Sequence, residues 1–183
     1  MTRPKVTLTL ERLAAGDIPG ITACKGGSHV EACLLRLEAN HHQPGATIAS
    51  GGDISGQPLE LQWSTSVTPQ MRRTWNDPQE ALEEGAAGIA VLTLLATTSF
   101  TVVERACKGD GVDYWLGESD DDILFQAKAR FEVSGLERES ASNTIANRVR
   151  RKRKQTELSA STSIPAYVGI VEFATPHTHL EKV

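Results

Sequence analysis

The segment 109–135 reads GDGVDYWLGESDDDILFQAKARFEVSG, and the rest of the chain is organised around it. Two apolar runs, 112–116 and 123–133, flank an acidic, turn-like stretch at 118–122, which is the pattern of two adjacent antiparallel strands. Period-two alternation sends Phe125, Ala127, Ala129, Phe131 and Val133 to one face of the second strand, and Gln126, Lys128, Arg130, Glu132 and Ser134 to the other. The first face belongs in a core, and the second is available for chemistry or solvent. Asp113 lies midway along the first run. If the two strands pair in suitable register, its carboxylate joins the polar row, and two carboxylates, an amide oxygen and a lysine converge.

Such a set suits hydrolysis of a phosphodiester. Carboxylate and amide oxygens are the hard donors that Mg²⁺ or Mn²⁺ prefers. A metal held there lowers the pKa of a bound water and stabilises charge on the phosphate, while a lysine orients or deprotonates the nucleophile. Asp113 followed by Gln126-Ala127-Lys128 resembles the PD-(D/E)xK nuclease superfamily, and the lead-in Asp110-Gly111-Val112-Asp113 is most similar to its Mrr-type and resolvase-like branches. The resemblance covers about 77–175 and lacks the proline before the aspartate. The pieces GVDYWLG and ARFEVSG also resemble a group of uncharacterised prokaryotic proteins, which carries no function across.

The resemblance implies an α/β fold of restriction-endonuclease type, a mixed central sheet flanked by helices, and metal-dependent cleavage of DNA. It implies that Asp113 and either Gln126 or Glu132 hold Mg²⁺ or Mn²⁺ and that Lys128 acts on the attacking water. Glu132 lies on the same face as Gln126 and can supply the second carboxylate, with Lys128 one step earlier on the strand or Lys152, on a later helix, in the lysine's place. The sequence leaves Gln126 and Glu132 both open. It also leaves open a non-catalytic nucleic-acid-binding or scaffold module on a degenerate nuclease fold, because any half-exposed antiparallel strand alternates in this way.

With 183 residues, 39% hydrophobic and 23% charged, the chain has the length and composition of one domain with a real core. We expect a β-rich N-terminal layer over 1–73 and a nuclease-like core over 74–183. No apolar run approaches a bilayer's thickness, and the charged, alternating start is unlike a signal peptide, so a cytoplasmic location without membrane contact is expected. Cys24, Cys33 and Cys107 form an odd set with no Cys-x-x-Cys spacing, which argues for a reducing compartment. The net charge of −4 gives no reason to expect nucleic acid, but its distribution does. Arg148, Arg150, Arg151, Lys152, Arg153 and Lys154 are six of the 19 basic residues, leaving 13 basic against 23 acidic elsewhere, a balance of −10. A phosphate backbone would be met there. Enzymes of the resembling type often cut two strands as dimers, so a homodimer or a larger defence-type assembly is the expected partner state.

The N-terminal third reads as strands at 5–10, 30–38, 47–49 and 59–67 separated by turns. Asp77 caps the clearest helix, with Pro78 at its first position, and the helix runs to about Thr97. Its small residues suit close packing on a sheet. Glu84, one turn past Glu80, stands where the resembling enzymes offer a supporting glutamate to the metal. A strand at 100–106, the pair around Asp113, a helix capped by Ser140 or Ser142 and running to about Thr156, and a doubly buried strand at 166–173 complete the order. His41-His42 and His177-Thr178-His179 lack the further ligands of a zinc site and fall where loops or a frayed end are expected. Trp115 shares the Asp113 face and could stack on an unpaired base, although core packing suits it as well.

Overall fold

Residues 3–118, 127–158 and 164–183 are described by the computed structural model. Residues 119–122 of the acidic turn and the start of the expected second strand, Gln126 included, lie outside these residues. The elements are β1 (Val6–Thr9), a 3-10 turn (Leu10–Ala14), α1 (Ala23–Ala39), β2 (Ala46–Gly52), β3 (Leu59–Gln62), α2 (Pro69–Thr74), α3 (Pro78–Thr97), β4 (Phe100–Arg105), β5 (Tyr114–Glu118), β6 (Ala129–Leu136), α4 (Ile145–Leu158), β7 (Ala166–Glu172) and β8 (His177–Lys182). The strands form one mixed α/β sheet in the order β1-β3-β2-β8-β7-β6-β5-β4. The β1/β3, β2/β8 and β6/β7 pairs are parallel and the others antiparallel.

Helix α3 explains the shape of that sheet. Asp77 caps it, its carboxylate accepting from the Gln79 N–H at 2.8 Å and the Glu80 N–H at 3.4 Å. From Ala81 to Leu94 the helix is buried nearly all round, as a helix enclosed by other elements must be. It touches β1 and β4, the two opposite edges of the sheet, as well as β6, β7 and β8. Eight strands laid flat would span roughly 34 Å, three times a helix diameter, so both edges can reach one helix only if the sheet curls around it. The core cluster accordingly runs from Leu8 on the first strand to Leu180 on the last. A smaller cluster, Leu136, Ile145, Val149, Val168 and Ile170, lies on the other face beneath α4.

Small residues set how closely these layers approach. The glycines of α3 were expected to meet a sheet, but Gly85 and Gly88 face α1, against Ala32, Cys33 and His29, while Ala86 and Ala90 face the strands. Room on the sheet side comes from strand glycines. A Cβ on Gly135 would stand 2.8 Å from the Leu82 carbonyl oxygen, and one on Gly169 2.9 Å from the Phe131 ring.

Several local expectations are corrected. Segment 30–38 is not a strand but part of α1, whose cap, Thr22, accepts from the Lys25 N–H at 3.2 Å. Val30, Cys33, Leu34 and Leu37 recur at helical spacing and are all buried, so the period and not the continuous apolar look was the right signal. The first third is therefore helical as well as β-rich, and its strands extend the main sheet without a break. The strand expected over 59–67 stops at Gln62. Beyond it the Glu11 carboxylate accepts from the N–H and hydroxyl groups of Ser64 and Thr65, which pulls its pKa down to about 2 against the opposing effect of burial. Thr144, rather than Ser140 or Ser142, caps α4 through the Asn147 N–H at 3.1 Å. The expected frayed end at 177–182 is β8, an interior strand.

Gly26 and Gly27 give a sharp test of this packing. A Cβ on Gly26 would overlap the Leu13 carbonyl, whereas one on Gly27 meets open space within the same helix. Gly27→Ala should stabilise the protein by about 0.5–1 kcal/mol. Gly26→Ala should destabilise it by about 3 kcal/mol or more, because both layers are backbone and neither can yield. Thermal denaturation of the two variants measures this.

Candidate active site

The β5/β6 register brings Asp113 to Glu132. Tyr114 stands opposite Phe131, so the residue before the one faces the residue after the other. The Asp113 N–H donates to the Phe131 carbonyl at 2.9 Å, and its Oδ2 accepts from the Val133 N–H at 2.7 Å. The polar face of β6 does not look into solvent, because α4 packs across it. Arg148, Lys152, Gln155 and Thr156 recur at helical spacing and form the stripe that α4 turns toward the strand. Lys152 forms an ion pair with Glu132 Oε1, and Gln155 Nε2 donates to the same oxygen at 3.1 Å. Arg148 donates to Ser134 Oγ at 2.8 Å and to the Gly135 carbonyl at 2.6 Å. Arg130, 5% exposed, donates to the carbonyls of Thr156 and Ile164 and fastens the far end of the helix.

Burial dominates the electrostatics. Glu132 is 3% exposed, and loss of hydration together with the Asp113 charge raises its pKa to about 7 despite the nearby Lys152. Burial also raises the pKa of Asp113, opposed by the Val133 N–H and by the charges of Lys152 and Arg105. The Asp113 charge is one cause of the Glu132 shift, so the two carboxyls titrate as an interacting pair.

Asp113 also lines a cleft of about 310 Å³. Its walls are Gln79, Glu83, Glu84 and Ala87 of α3, Arg105 and Tyr114 beside Asp113, residues 133–135 of β6, and Arg148 and Lys152 of α4. On the other side of Asp113 a second depression is bounded by Arg105, Lys108, Gly109, Glu132 and Gln155 among others. Asp113 thus borders two hollows, each with cationic groups on its walls.

The candidate residues divide into those the fold assembles and those it does not. Asp113, Glu132 and Lys152 come together. Lys128 does not join them. Its ammonium pairs with Glu118 at 2.8 Å, and it lies four residues from Glu132, about 13 Å along an extended chain. Gln126 lies outside the described residues. Glu84 reaches the cleft but is committed elsewhere, to Lys25 Nζ at 2.5 Å and to the fully buried His29 Nδ1 at 3.0 Å. The His29 hydrogen bond is the main reason its pKa falls to about 2. The basic run is also divided. Arg148 and Lys152 turn inward, Arg153 pairs with Glu181, and Arg150, Arg151 and Lys154 are exposed. Sequence reading passed over Gln155, Arg105 and Glu83. For Gln155 a signal existed, its spacing of three from Lys152 and seven from Arg148 on one helix. Arg105 had none, since only the sheet brings it beside Asp113.

Because the folded pKa of Glu132 lies above its ordinary value, the stability linked to this group is fully present below about pH 4.5 and is lost as pH rises through about 7. In EDTA the wild type should lose on the order of 1–2 kcal/mol more than Glu132→Gln between pH 5 and pH 8. The difference in melting temperature between the two proteins across that range measures it, and the shifts of Glu11 and Glu84 act at lower pH. No protein-family model, no curated protein and no solved structure matches the chain.

Proposed function

We propose that the protein is a metal-dependent nuclease that hydrolyses phosphodiester bonds of DNA, on a restriction-endonuclease-like arrangement of α3, β4, β5, β6, α4 and β7. One observation carries this reading: two carboxylates on paired strands, Asp113 and Glu132, face each other beside a helical lysine at the rim of a cleft. The donor set fits Mg²⁺ or Mn²⁺. Val133 takes Oδ2 of Asp113, and Lys152 with Gln155 takes Oε1 of Glu132, which leaves Oδ1 and Oε2 as hard oxygens for a cation. When bound, such a metal supplies positive charge to the scissile phosphate and acidifies a water.

The chain's own groups have distinct tasks in this reading. Lys152, taking the role first given to Lys128, holds the attacking water close to the carboxylates. Arg105 and Arg148, on the cleft walls, counter the phosphate charge. Arg150, Arg151 and Lys154 meet the nucleic-acid backbone from the exposed side of α4. Glu84, engaged by Lys25 and His29, shapes the cleft wall and leaves the metal to the other two carboxylates. A homodimer or larger assembly would supply two such sites for two strands. The convergence of Lys152 and Gln155 on one Glu132 oxygen favours a second reading, in which the ammonium stands permanently in the cation's place and the module binds nucleic acid without cutting it.

Incubation with plasmid and single-stranded DNA in Mn²⁺ or Mg²⁺ tests the first reading. Asp113→Ala, Glu132→Gln and Lys152→Ala should each lose cleavage by about 100-fold or more, while Lys128→Ala should stay within about twofold of wild type. Absence of cleavage by the wild type, or equal cleavage by Asp113→Ala, sinks the hydrolase reading. Binding is read separately. Replacing Arg150, Arg151 and Lys154 together by Ala should reduce the slope of log affinity against log salt by about 2–3.

A further inference from the structure

We infer that the face of β8 turned away from α3 carries a second metal site, distinct from the Asp113–Glu132 pair, in which His177 and His179 take a late first-row divalent ion such as Zn²⁺, Ni²⁺ or Cu²⁺. On β8, Thr178 and Leu180 point into the core, Thr178 meeting Thr93 of α3 at 3.2 Å. His177, His179 and Glu181 therefore share the opposite face. That face lies two strands from Glu132, roughly 10 Å across the sheet.

Both rings lean over the same neighbour. In the β2/β8 register His177 is level with Ala49 and His179 with Gly51. Yet a Cβ built on Gly51 would stand 2.8 Å from His177 Nε2 and 2.8 Å from His179 Nδ1. His177 has tilted along the strand toward His179, so its nitrogen and its neighbour's come to one spot that only a glycine leaves free. Gly52, with φ +68°, continues the bare patch, and a Cβ there would meet His179 Nε2 at 2.9 Å.

The surroundings of the two rings are those of a ligand pair. Glu181 Oε2 lies 3.1 Å from His179 Nε2, placed to accept that nitrogen's N–H, and His179 Nδ1 is the nitrogen facing Gly51. Arg153 in turn holds the other Glu181 oxygen. A carboxylate that orients a histidine in this way is the outer support typical of imidazole metal sites. His177 Nε2 is buried without a hydrogen-bond partner among the described residues. A buried ring nitrogen with no partner is costly unless something binds it. Imidazole suits Zn²⁺, Ni²⁺ and Cu²⁺ and not Mg²⁺. Helix α4 packs mainly on β6 and β7, and the His179 side chain keeps 17% exposure, so solvent can reach the pair from its side.

The test is calorimetric titration of the untagged, full-length protein with ZnCl₂ and NiCl₂ in a non-coordinating buffer. Wild type should take up one ion per chain saturably at this site. His177→Ala and His179→Ala should each weaken uptake about tenfold or more, whereas Asp113→Ala and excess MgCl₂ should leave it unchanged. Uptake that is absent in wild type, equally strong in both histidine variants, or lost in Asp113→Ala overturns the site. Should the variants fail to fold, electron paramagnetic resonance of Cu²⁺ on wild type decides: coupling to two imidazole nitrogens is expected, and oxygen-only coordination refutes the inference. Neither readout depends on nuclease activity, so this site and the proposed cleavage stand or fall separately.

Discussion

One constraint organises the structure: a helix that is apolar nearly all round beyond its first two turns has to be enclosed. Helix α3 buries every residue from Gly88 to Leu94 and most of those from Ala81, and a single flat sheet could cover only one side of it. The sheet answers by curling until its two edge strands both touch the helix, and α1 closes the remaining side. Close approach is possible because the contact points are small. Gly85 and Gly88 admit α1, and Gly135 and Gly169 admit the helix against the strands. Packing this close leaves backbone against backbone, which is why added methyl groups are poorly tolerated.

That enclosure places the acidic pair on the other face. With the inner face of β6 spent on Phe131 and Gly135, the alternate residues Arg130, Glu132 and Ser134 face α4. The helix brings cations to them because its basic positions recur at the helical period. The arrangement is balanced with little margin. Two carboxylates withdrawn from water are held by one lysine, one glutamine and one backbone amide, and burial raises the pKa of both. Taking such groups out of water costs more than a single ion pair returns, so an added cation would be welcome at this position. Within the nuclease reading, the strain of the pair and its affinity for metal have one cause.

The described residues differ in how readable they were. Asp113 and Glu132 were visible as candidates because a period of two is a local property, and so was α3, announced by Asp77-Pro78 and its apolar run. Lys128 was misleading for an instructive reason. Alternation puts it on the correct face, but a face is as long as its strand, and position along it depends on where the hairpin register falls. Helix α1 was mistaken for a strand because a short apolar run suits either period, and β8 was missed because HTHLEK has no apolar alternation of its own.

The sequence by itself determined the local matters: which segments cap, which face of each strand is polar, where the positive charge concentrates, and which carboxylates could meet. Those follow from neighbours within a few residues, and the amino-acid order states them directly. Tertiary structure alone decided which of them do meet. It chose Lys152 over Lys128, committed Glu84 to Lys25 and His29, and leaned two histidines of an interior strand over a glycine of another. Each of those outcomes depends on register and layer packing between segments far apart in the chain, and no local pattern encodes such distances.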